Sequence, residues 1–157
     1  MKAWLVLGLL SVGACGFPSP WKNAEPTGTT IEGWMRTTLD HPHPGAGWFR
    51  VDDLEAYDFS QASLKSVRRA KDDVVVLQIG RVDTEGTTVL EFDIALGAWV
   101  AGAVPVDGVS AIGELRRPDG TQQFVLGGSL DVRAAGVAEG DLIEVSFVDL
   151  TLARVQP

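Results

Sequence analysis

Between Thr88 and Leu96 the chain alternates strictly. Leu90, Phe92, Ile94 and Leu96 take one parity; Val89, Glu91, Asp93 and Ala95 take the other. Successive side chains of a strand point to opposite faces. The segment is therefore a strand with one face in a core and one near water. Upstream, Val74 to Ile79 (VVVLQI) is β-branched and almost continuous, as in a strand covered on both faces. Asp83-Thr84-Glu85-Gly86 joins the two, with Gly86 placed for a positive φ.

The same reading extends along the chain. Thr30–Thr37, Trp48–Val51, Val109–Arg117, Thr121–Leu126 and Ser129–Ala135 are expected strands. Ser60 to Ala70 fits a helix capped by Ser60 or a strand, and its strand neighbours favour the strand. Pro118-Asp119-Gly120 and Gly136 to Gly140 are turns. The last run, Asp141 to Val155, changes phase: Ile143, Val145 and Phe147 are odd, Leu150 and Leu152 even. A one-residue slip exchanges the faces, so a β-bulge or bend is expected near Val148-Asp149. Many short strands with regular turns predict an all-β fold, an antiparallel β-sandwich of jelly-roll-like form.

The first residues set an address. Lys2 precedes an uncharged apolar run from Ala3 to Val12, and Gly13 and Ala14 are small. Val12-Gly13-Ala14-Cys15 resembles the lipobox of bacterial lipoproteins. The resemblance implies a diacylglyceryl group on the Cys15 thiol, cleavage before Cys15 and acylation of the new amine. It divides the chain into a signal peptide (1–14), a lipidated cysteine with a flexible tether (15–29) and a β-sandwich domain (30–157). Gly16 rather than Asp after the cysteine implies the outer membrane of a bacterial envelope. Two other readings of the stretch are an ordinary secretory signal and an uncleaved membrane helix. Gly13, Gly16, Pro18 and Pro20 oppose the helix. The segment GSLDVRAAGVAEGDLIEVSFVDLTL also looks like the closing hairpin of small uncharacterised bacterial lipoproteins, a resemblance that carries no known activity.

Charge limits the partners. The chain has 157 residues, 13 basic and 21 acidic side chains, and a formal charge of −8. Without residues 1–14, which hold Lys2 and no acid, the balance is −9. Nucleic acid, which requires clustered Lys and Arg, is excluded. So is an electrostatic hold on anionic lipid, which leaves the lipid on Cys15 as the only membrane contact. One cysteine allows no intrachain disulfide, and 45% hydrophobic residues are enough for an ordinary core. Tether residues 15–29 would reach about 20 Å.

Candidate sites follow from residue type and spacing. Asp40-His41-Pro42-His43-Pro44 holds the only two histidines. In an extended chain His41 and His43 point the same way and, with Asp40, could approach one zinc, copper or nickel ion. The prolines make it equally a solvated loop, and a metal-dependent enzyme at this loop is the third reading of function. Asp52, Asp53 and Asp58 suggest calcium, although Leu54 and Ala56 break EF-hand spacing. Trp34, Trp48 and Trp99 include candidates for an exposed aromatic platform, with Trp99 and Trp48 foremost. Burial in the core is the competing fate of each. No Gly-x-Ser-x-Gly elbow, phosphate loop or dinucleotide fingerprint occurs, so no catalysis and no cofactor is expected. The sequence reads as a lipid-anchored envelope protein with a binding or structural role, or else a carbohydrate- or calcium-binding module.

Overall fold

The computed structural model describes residues 24–39, 45–52, 63–70, 73–83 and 86–155. Ten strands run through them: β1 (Ala24–Thr38), β2 (Ala46–Val51), β3 (Ser63–Ala70), β4 (Val74–Asp83), β5 (Gly86–Ala95), β6 (Gly102–Pro105), β7 (Ala111–Arg116), β8 (Gln122–Val125), β9 (Ser129–Ala134) and β10 (Leu142–Val155). One turn of 3-10 helix, Leu96–Ala98, follows β5. No helix among the described residues is long and apolar enough to cross a membrane.

The protein is all-β. Every strand pairing is antiparallel, and the strands lie in one sheet of order β2-β1-β10-β8-β7-β5-β4-β3, with β9 on β10 and β6 on β9. The sheet curls. Phe92 of β5 meets Phe147 of β10 with ring centroids 5.4 Å apart, although β7 and β8 lie between those strands in the sheet. A Cβ on Gly47 of β2 would come 3.0 Å from Ile79 of β4. The concave face therefore encloses one core, from Ile31 and Met35 through Phe49, Leu77, Leu90 and Phe92 to Val145, Phe147 and Leu152.

Glycine makes room for the aromatic rings in that core. Across β2, β1 and β10 one row reads Phe49, Gly33, Phe147. Across β5, β7 and β8 another reads Phe92, Gly113, Val125. A Cβ at Gly113 would lie 2.8 Å from the Phe92 ring, and one at Gly33 would lie 3.0 Å from the Phe147 ring. A glycine beside each ring lets it lie across the neighbouring strand.

The alternation in β5 lands as expected: Leu90, Phe92 and Ile94 are fully buried. Leu96 does not continue it, because the chain turns into the 3-10 helix there. In β4, Val75, Leu77 and Ile79 face the core, and Val76 on the opposite face is also buried. The Ser60–Ala70 stretch contains β3. Gly86 has φ 130° and Gly120 φ 86°, as their turns require. The β10 bulge falls where the change of phase places it. Ile31 pairs with Leu150 and Gly33 with Phe147, so Glu32 alone faces Val148 and Asp149. Asp149 takes φ 51°. Ile143, Val145 and Phe147 before the bulge are buried, and so are Leu150 and Leu152 after it.

Two features depart from expectation. β1 begins at Ala24 and pairs Ala24, Glu25 and Pro26 with Val155, Arg154 and Ala153, inside the segment expected as tether. Proline and glycine make that segment read as coil. Yet among the described residues β2 reaches β1 only from Ile31 on, so Pro26 has a partner strand, β10, on one side only, the edge setting in which strands tolerate proline. β6 lies in a stretch for which the sequence suggests no strand. Its four residues, Gly102-Ala103-Val104-Pro105, begin with glycine, end with proline and carry no alternation long enough to detect.

Candidate functional site

On β1, Ile31, Met35 and Thr37 face the core, as does Leu39 just after the strand, so Glu32, Trp34 and Arg36 face outward. On β2, Phe49 and Val51 face inward, and Trp48 and Arg50 outward. Trp34 and Trp48 are register partners on this outer face, both half-buried. The row continues through Ser146 on β10 to Asp131 on β9. Beside it Arg36 opposes Glu144, and Glu144 opposes Ala134.

A second bulge shapes this surface. Val145 pairs with Val132, but Glu144 pairs with Ala134, so Arg133 is an extra residue on β9. A bulged residue leaves the ladder and its side chain is re-aimed. Arg133 lies on the exposed side with Nη1 3.8 Å from Glu144 and Nε 3.6 Å from Asp131. Arg36 approaches Glu144 from the other side, Nε to Oε2 3.8 Å. Gly33, Trp34, Arg36, Arg133, Glu144 and Ser146 line a depression of about 470 Å³. These ion pairs are longer than charge-assisted hydrogen bonds, which close to about 2.7–2.9 Å. The guanidinium groups are thus close to carboxylates without being saturated by them. Arg50 next door is held more firmly, by Glu32 and, at 3.7 Å, by Asp52.

Gly33 fixes how near β2 comes to the site. A Cβ there would lie 2.2 Å from the Trp48 carbonyl oxygen and 2.7 Å from the Phe49 Cα. Only a residue without a side chain lets the two strands approach so closely, and that approach sets Trp48 beside Trp34.

The sequence-predicted candidates separate. Trp48 stands on the outer face, on the same side as the depression. Trp99 does not: it is 5% exposed, packs in the core and donates its indole N–H to the Gly136 carbonyl at 2.9 Å. Gly97-Ala98-Trp99-Val100-Ala101-Gly102 reads as an open loop, but the 3-10 turn at Leu96–Ala98 returns the ring inward, and no platform forms there. Asp52 follows β2, accepts a hydrogen bond from the Thr30 hydroxyl and faces Arg50. Its calcium partners Asp53 and Asp58 lie outside the described residues, as do Asp40, His41 and His43 of the metal candidate and Cys15 of the lipobox. Among the described residues no group of three or more His, Cys, Asp or Glu side chains is placed to hold a metal ion.

Sequence reasoning did not single out Arg36, Arg133, Glu144 or Ser146. Two signals for them exist. Trp34-x-Arg36 and Glu144-x-Ser146 each put polar or aromatic groups on the non-core parity of a strand. Arg133 has no such signal, because the bulge that exposes it depends on the pairing of β9 with β10.

The chain matches no protein-family model, no curated protein and no solved structure. Fold and site therefore define its class by geometry: an all-β chain of one curled antiparallel sheet, with an aromatic and charged depression on the outer face.

Proposed function

We propose that the chain is a non-catalytic, lipid-anchored protein of the bacterial envelope that holds a saccharide on the outer face of its sheet. The observation that carries the binding part is the position of Trp34: a half-buried ring at the edge of an open depression whose other walls are arginine, glutamate and serine. A sugar ring offers C–H faces to an aromatic plane and hydroxyls to charged and hydroxyl groups around it, and such sites place a few polar groups beside an apolar surface. Trp48, in register with Trp34, extends the aromatic surface toward β2.

The anchor rests on the Val12-Gly13-Ala14-Cys15 motif, and outer-membrane residence on Gly16. Each buried methylene of an acyl chain contributes about 0.8 kcal/mol, so two or three chains hold firmly where one does not. Finer architecture belongs to the same proposal. The curl that brings β5 against β10, and the bulged split of β10 between β8 and β9, favour a flattened, jelly-roll-like sandwich.

Two experiments test it. On a printed panel of neutral and acidic oligosaccharides, the protein is expected to be retained by a subset, and Trp34→Ala, with its fold checked by circular dichroism, to be released from that subset. Equal retention of Trp34→Ala, or retention by no saccharide, removes the binding reading. For the anchor, cells fed radiolabelled palmitate are expected to label the protein and not its Cys15→Ser variant. Undiminished label in Cys15→Ser contradicts it.

A further inference from the structure

We infer that the saccharide held at this depression is anionic, a ring carrying a carboxylate or an ester sulfate. The inference rests on the binding role proposed for Trp34 and names the class of ligand. It stands on how Arg36 and Arg133 are placed. Both exposed guanidinium groups converge on a single carboxylate, that of Glu144, from opposite sides. Neither closes to hydrogen-bonding distance on it. The two contacts are 3.8 Å each, and Arg133 meets Asp131 at 3.6 Å. The Arg36 ion pair is made through Nε. A planar guanidinium presents paired donors that match the two oxygens of a carboxylate or sulfate. Donors at the wall of an open depression, beside an aromatic ring and short of saturation, suit an acid borne on a ring. Glu144 works against that acid, because its own charge occupies the space between the arginines. The site is therefore a weak one for anions, set by the balance between two cations and two resident carboxylates, Glu144 between the arginines and Asp131 beside Arg133.

That balance gives a test that a merely structural role for these residues would not pass. The full chain is titrated by calorimetry with tetragalacturonate, with a sulfated oligosaccharide of similar length, and with the tetramer whose carboxylates are reduced to alcohols. At least one acidic ligand is expected to bind roughly tenfold or more tightly than the neutral tetramer. The advantage should shrink between 0.05 and 0.5 M NaCl, since salt screens exposed charges. The two acidic arms distinguish carboxylate from sulfate. Arg133→Gln is expected to erase the acidic advantage. Glu144→Gln, which removes the competing charge and keeps the size, is expected to tighten the acidic ligand. A gain cannot come from misfolding, so this variant keeps the inference falsifiable even if Arg133→Gln is unstable. Equal binding of acidic and neutral tetramers, or weaker acid binding by Glu144→Gln, overturns the anionic assignment and leaves the saccharide reading intact. Binding of neither, by wild type or variants, overturns both.

Discussion

Single residues set the spacing on which the outer face depends. Gly33→Ala would put a Cβ within 2.2 Å of the Trp48 carbonyl oxygen, a backbone atom that cannot swing away. The two strands must separate, and overpacking of this kind costs about 1–3 kcal/mol. Urea denaturation should show that loss, and saccharide retention should fall with it, because the shift moves Trp48 away from Trp34. Trp99 makes a contrasting case. Its N–H satisfies the Gly136 carbonyl in a buried setting. Trp99→Phe leaves that acceptor unpaired, at a cost of about 1–3 kcal/mol. A thermal melt should report the loss, while binding at the Trp34 face stays as it was. Both tryptophans look alike in sequence: each stands among small or apolar neighbours. What separates them is strand parity for Trp48, which is readable, and the return of a 3-10 turn for Trp99, which is not.

At the scale of elements, bulges and turns decide where charges point. The β10 bulge was legible because Ile143, Val145 and Phe147 are out of phase with Leu150 and Leu152. The β9 bulge at Arg133 was not, because Leu130, Val132 and Ala134 keep one parity through it and the sequence shows no change of phase. Asp149 holds φ 51°. Asp tolerates this region, glycine favours it, and a β-branched residue is a genuine outlier there. Asp149→Val should therefore destabilise by about 1–2 kcal/mol in urea, and Asp149→Gly should not. The turn before β10 depends on pH. Asp141 accepts the Ala138 and Val137 amides at 2.8 and 3.0 Å. Those two bonds, Ala138 first, hold its carboxyl below the ordinary carboxylate value, against a small opposing effect of desolvation. A lowered value in the folded state means the contribution is present above the unfolded value and is lost as pH falls through the folded one. The protection of the Val137 and Ala138 amides, taken relative to their intrinsic exchange rate at each pH, should fall as pH drops through that interval. In Asp141→Ala that protection should be low at every pH, and undiminished protection in that variant would remove the carboxylate from the account.

For the whole molecule, the pairing of the first described strand with the last gives the sheet its form. β1 and β10 run together from Ala24↔Val155 to Thr38↔Leu142, and the outer face of that pair, widened by β2 and β9, carries the depression. Composition and alternation were enough to read an all-β fold and most strands, since burial of one face leaves its period in the chain. The order of strands was not readable, because the β1–β10 pairing at its centre joins residues more than a hundred apart. The site was only half readable for the same reason: its tryptophans and Arg36 come from one end of the sequence, and Arg133, Glu144 and Ser146 from the other. The measurement that tests the central claim most directly is a two-dimensional NMR titration of the protein with the saccharide that retains it. The account predicts amide shifts confined to Gly33–Arg36, Gly47–Phe49, Asp131–Ala134 and Glu144–Ser146, together with the Trp34 indole N–H. Shifts that instead gather around Trp99 and the turn from Gly136 to Asp141, with the Trp34 indole unmoved, would contradict it.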